Sequence, residues 1–198
     1  MPKLFSIKPA MTIKGRKFKG IRGFSGKPFH PPLTDVPVTA YFLAGVFEVI
    51  SYYAAHKNGD VGTLARDFYI STTHVLIAGA IVSVATALTG FWDWFKSMEH
   101  GTQAWRTANW HMAVMLTVTA LVVVDIIVRI GSWSDAMAEG PSLGLTILTV
   151  AIAALVSYGA LYGGSLVYEY EFNVEQDNGY AWEKSEVDRL PGTEDKPV

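Results

Sequence analysis

Apolar residues along this chain gather into long unbroken runs, with polar and charged residues pushed into short stretches between them and into the two ends. No Asp, Glu, Lys or Arg occurs from 68 to 92, from 107 to 124 or from 140 to 168. Runs of about 18 or more apolar residues predict membrane-crossing helices, because a helix rising ~1.5 Å per residue needs about 20 residues to cross the hydrocarbon core. The pattern predicts spans at about 34–55, 67–95, 107–130 and 142–168. The first opens after His30-Pro31-Pro32, where proline is tolerated because the first helical turn has no internal partner for its N–H. Loops of about ten residues separate the spans, too short for another domain. The expected fold is therefore all-α: an integral-membrane, up-down-up-down four-helix bundle over residues 30–168.

Composition sharpens this. Half of the 198 residues are apolar and 17% are charged, against roughly 25% charged in soluble domains; a soluble enzyme is excluded. The 16 basic and 18 acidic residues nearly cancel, so no overall field points to a nucleic-acid partner. There is no cysteine, which excludes disulfides, thiolate zinc sites and a self-carried iron–sulfur cluster. Residues 1–29 form a basic arm with eight Lys or Arg and no acid, and no apolar stretch within it marks a cleavable signal. Residues 169–198 form an acidic tail holding nine acids and three bases. Counting Lys and Arg by side gives thirteen with the chain termini and three opposite. That bias predicts that both termini are cytoplasmic. Both tails are rich in aromatic residues for disordered segments, and are expected to dock partner subunits; the arm could also bind anionic lipid.

Ionisable groups at membrane depth are functional candidates, since burying them is costly. Helical rise places His30, Asp93 and His111 at one height near the inner surface, and Glu48, His74 and Asp125 in a second group nearer the outer surface. His111, Met115, Val118, Val122, Asp125 and Arg129 share one face of the third span, and Tyr41, Ala44, Gly45, Glu48 and Ser51 share one face of the first. Three chemistries fit. A haem b needs two imidazoles on opposite faces of its ring, and His30 with His111 is the best-placed pair, Asp93 orienting one ring through its other nitrogen. A divalent metal could take His30, His111 and Asp93 directly. Glu48, His74 and Asp125 could form a proton relay. Structural readings stand beside each. Asp125 and Arg129, four apart, neutralise each other; His74 bonds a neighbouring helix; His30 caps its helix and His111 faces headgroups. The small residues Gly79, Ser83, Ala87 and Gly90, and Gly159 with Gly163, read as packing seams.

The segments HPPLTDVPVTAYFLAGVFEVIS, ATALTGFWDW, GTQAWRTANWHMAV, IIVRI and YGGSLVYEYEFNV together resemble a domain-of-unknown-function family of predicted bacterial four-helix inner-membrane proteins. Some of its members are joined to a Rieske iron–sulfur domain. The resemblance covers about residues 30–174 and rests on His30, Pro31, Pro37, Glu48, Gly90, Asp93, His111, Arg129, Gly163, Gly164, Leu166, Val167 and Tyr168. It implies four membrane helices and, through the Rieske fusions, redox partners; no activity follows from it. Relatives often continue the last motif with His-Gly where this chain has Tyr170-Glu171, which weighs against several haems. The expected role is a membrane subunit of an electron-transfer or redox complex, anchoring partners and carrying one haem b. The alternatives are a cofactor-free accessory subunit and a small transporter or proton-handling protein. No nucleophile–base pair stands out, so catalysis by the chain alone is not expected.

Overall fold

The computed structural model describes residues 28–57 and 61–174. They form five helices: α1 His30–Lys57, α2 Thr63–Ser97, α3 Gln103–Gly131, the short α4 Trp133–Glu139, and α5 Leu143–Tyr168. The four long helices are each long and apolar enough to cross a membrane. Most of the expected arm and tail (residues 1–27 and 175–198) lies outside the described residues.

Two of the long helices, α3 and α5, start at residues whose side chains satisfy an orphan N–H group. Thr102 accepts from the main-chain N of Trp105 at 3.1 Å, and Ser142 from that of Leu145 at 3.2 Å. Gly101 (φ +83°) and Gly140 (φ +86°) make the left-handed turns ahead of α3 and α5. The helix α1 begins four residues before the predicted span, at His30, and absorbs Pro31 and Pro32 in its first turn. Pro37 lies inside α1 and has no N–H to give to the carbonyl of Leu33. The neighbouring helix compensates in part: Thr86 Oγ1 lies 3.3 Å from Leu33 O and shares its hydrogen between that carbonyl and Val82 O at 3.0 Å. In hydrocarbon, a freed carbonyl is tolerated when a nearby side chain satisfies it in this way.

The bundle closes as a ring, with α1 against α2 and α5, α3 against α5, and a looser junction between α2 and α3. Contacts between helix ends fix the directions. Ser51 near the end of α1 donates to the carbonyl of Ala65 near the start of α2; Trp94 near the end of α2 donates to Asn109 near the start of α3; Arg129 near the end of α3 donates to Thr149 near the start of α5. Consecutive spans therefore run antiparallel. The core is Tyr41, Ala44, Leu76, Val118, Val122, Ile152 and Val156. Phe42, Ile81, Leu88, Leu116, Ile127 and Leu161 face outward, as helix surfaces in lipid do because hydrocarbon tails are as apolar as leucine.

The sequence pattern missed α4 and read its residues as loop. Seven residues are too few to show a helical period, but Ala136 and Met137 turn inward and join Tyr69, Trp133 and Leu145 in a small cluster across the end of the bundle. The packing seam on α2 also differs by one position. Gly79, Ser83 and Thr86 are buried while Ala87 is exposed, because a face repeating every ~3.6 residues drifts off a strict spacing of four. The Tyr41 ring fills the space over Gly79, and its hydroxyl meets Ser83 Oγ at 2.7 Å.

Candidate functional site

Two polar constellations occupy opposite ends of the bundle. At the end nearer the chain termini, the first residue of α1 reaches across to the last turns of α2. His30 Nδ1 lies 3.0 Å from the carbonyl oxygen of Thr86 and 3.5 Å from Thr89 Oγ1. The imidazole lies on Gly90, where an added Cβ would come within 2.6 Å of Cε1. On the diagonally placed helix α3, His111 repeats the arrangement against α5. Its Nδ1 lies 2.9 Å from the carbonyl oxygen of Gly159, and its ring sits on Gly163.

A main-chain carbonyl can only accept, so each Nδ1 carries a proton, and in the neutral imidazole Nε2 then carries the lone pair. Among the described residues, neither Nε2 enters a hydrogen bond. The two rings are within electrostatic reach of each other. Both lie at the end of the bundle where α1 and α3 begin.

Asp93 is buried one turn beyond Gly90 and Thr89 on α2. The carbonyls of Thr86 and Gly159 hold the two Nδ1 atoms. Among the described residues, no three His, Asp or Glu side chains gather as a metal-binding group. A three-ligand divalent site made of His30, His111 and Asp93 is therefore not assembled, and what remains is a pair of imidazoles. Gly90 and Gly163, read from the sequence as packing seams, each seat a histidine ring. Each of these glycines lies four residues after the residue whose carbonyl holds the ring, Thr86 and Gly159.

At the other end, Arg129 is fully buried and lies between two fully buried acids. Its Nε meets Asp125 Oδ1 at 2.5 Å, and its Nη2 is 2.8 Å from Glu48 Oε2. Nη2 also donates to Thr149 Oγ1 at 2.8 Å, and Thr149 donates in turn to Asp125 Oδ2 at 2.6 Å. The guanidinium stacks over the Tyr69 ring, 5.0 Å from its centroid, and the Tyr69 hydroxyl donates to the Arg129 carbonyl at 3.2 Å. Asp125 and Arg129 do pair four residues apart, as expected, but Glu48 from the diagonal helix joins them. His74 does not: it sits on the exposed face of α2, while Thr72, Thr73 and Leu76 turn inward. The expected trio of Glu48, His74 and Asp125 is thus a cluster of Glu48, Asp125 and Arg129, with His74 outside it. Thr149 and Tyr69 were not singled out from the sequence; two threonines three residues apart in the apolar run of α5, Thr146 and Thr149, were the available sign.

The sequence profile of a family described as "Predicted membrane protein (DUF2231)" matches residues 26–176, and the chain belongs to that family. No curated protein and no solved structure matches the chain.

Proposed function

We propose that this member of the family is the membrane subunit of an electron-transfer complex and holds one b-type haem between His30 and His111. The observation that supports the reading is the matched preparation of two imidazoles on diagonal helices. Each has its Nδ1–H committed to a carbonyl and its Nε2 left to ligate. A haem b ligated by two histidines supplies one-electron chemistry.

The protein's own part is ligation and positioning. The carbonyls of Thr86 and Gly159 fix the tautomer and orientation of each ring and raise its basicity, as outer partners of ligating histidines do. Gly90 and Gly163 let the rings lie against α2 and α5 without a Cβ in the way. The looser junction of α2 with α3 is where a flat macrocycle would enter between helices.

Partner subunits dock through the basic arm 1–29 and the acidic tail 169–198, which leave the bundle at the histidine end. The excess of Lys and Arg on that side orients it to the cytoplasm of a bacterial inner membrane.

The test is the reduced-minus-oxidised absorption spectrum of detergent-purified protein from haem-replete membranes. The reading expects a b-type α-band in the wild type and in His74→Ala, and no band in His30→Ala or His111→Ala that retain wild-type helicity. A colourless wild-type protein of full helicity that takes up no added haemin overturns it and leaves an accessory, cofactor-free role.

A further inference from the structure

The Arg129 cluster is not used by the electron-transfer reading, and its charges do not balance. Two carboxyl groups, Glu48 on α1 and Asp125 on α3, face a single guanidinium, and all three residues are shut off from the surface. Among the described residues, the other groups around them are Tyr69 from α2 and Thr146 and Thr149 from α5, none of which carries a charge. With both acids ionised, the cluster would hold one uncompensated negative charge in the interior of a membrane bundle, where its desolvation is unfavourable. A proton on one acid removes it.

Hydrogen bonding distinguishes the two acids. Each oxygen of Asp125 has a donor, Arg129 Nε on Oδ1 and the Thr149 hydroxyl on Oδ2, and this is the setting of a stable carboxylate. Neither oxygen of Glu48 is hydrogen-bonded: its approach to Arg129 Nη2 is close but not aligned, and that nitrogen donates to Thr149. Beside Glu48 lies Thr146, which gives its own hydroxyl hydrogen to the Ser142 carbonyl at 3.0 Å. Arg129 Nη1, also without a hydrogen-bond partner, is fully buried in the same cluster. An ionised Glu48 would be drawn onto that donor; a neutral one leaves it as found.

We infer that Glu48 is a proton-binding site inside the membrane, its carboxyl holding a proton beside an ionised Asp125–Arg129 pair. The cluster is then neutral as a whole, and the ligand of the site is the proton itself. The inference does not depend on haem, because the cluster lies at the opposite end of the bundle from His30 and His111.

Infrared spectroscopy of the full-length protein in lipid tests it. A protonated carboxylic acid gives a C=O stretch above the amide I band that moves to lower frequency in deuterium oxide. The expected result is such a band in the wild type, lost in Glu48→Gln and kept in Asp93→Asn. Absence of the band in the wild type, or its persistence in Glu48→Gln, overturns the proposal. Thermal unfolding gives an independent reading. Glu48→Gln exchanges one neutral group for another, so its Tm should stay near that of the wild type while Asp125→Asn falls well below it. A Glu48→Gln protein as destabilised as Asp125→Asn, or unable to fold at all, shows that Glu48 acts as an anion and also overturns the proposal.

Discussion

Replacing Arg129 by methionine removes the charge while keeping a long side chain of comparable reach, so the loss is electrostatic more than a loss of packing. What disappears is the pair with Asp125 at 2.5 Å, the approach to Glu48 at 2.8 Å, the hydrogen bond to Thr149 at 2.8 Å and the stacking on Tyr69 at 5.0 Å. Asp125 is left as a buried, unpaired carboxylate. Breaking a buried ion pair from one side costs about 3–5 kcal/mol, and a desolvated cation–π contact adds up to ~2 kcal/mol. These contributions overlap, so the expected loss is about 4–6 kcal/mol. The double variant Arg129→Met/Asp125→Leu removes both charges and should recover most of it, because an apolar pair often replaces a buried ion pair without loss. The assay is unfolding in bicelles by titration with sodium dodecyl sulfate, followed by circular dichroism. Hydrogen bonds between membrane helices average only ~0.6 kcal/mol. A single-variant loss of that size, or a double variant no more stable than the single one, would refute the reasoning.

Other positions give contrasting expectations. Gly90→Ala places a Cβ 2.6 Å from the His30 ring, whereas Gly163→Ala places one 3.2 Å from the His111 ring; the haem-to-protein ratio should collapse in the first and fall only partly in the second. Helix stability should not drop with it, since alanine is favoured over glycine inside a helix by up to ~1 kcal/mol. Thr86→Val removes the donor that in part satisfies Leu33 O and should cost about 0.5–1 kcal/mol in bicelle unfolding. In a Pro37→Ala background, where residue 37 regains its N–H, the same substitution should cost less. His74→Phe should change stability by no more than about 0.5 kcal/mol and leave the absorption spectrum untouched, because the side chain points away from both clusters.

The inward faces of α1 and α3 were legible because helical periodicity is a property of each segment alone. Tyr41, Ala44, Gly45, Glu48 and Ser51 are all buried, as are Val118, Val122, Asp125 and Arg129. Helical rise also sufficed to bring His30 and His111 to the same end. Rotation about the α2 axis was not legible in the same way. An apolar run has no polar face to mark its outside, so His74 and Ala87 were assigned inward although both are exposed. The diagonal partnership of Glu48 with Arg129 depends on which helices face one another across the bundle, and no spacing within either helix encodes that. The orienting groups at the histidines are main-chain carbonyls. Every residue has one, so no residue type in the sequence marks which carbonyl holds a ring.

The most direct measurement of the central claim is the electron paramagnetic resonance spectrum of the oxidised, purified protein at low temperature. One haem iron held by both His30 and His111 gives a low-spin ferric signal that becomes high-spin or disappears when either histidine is replaced by alanine. A low-spin signal that survives either replacement, or a folded, haem-supplied wild-type protein with no ferric haem signal, contradicts the account.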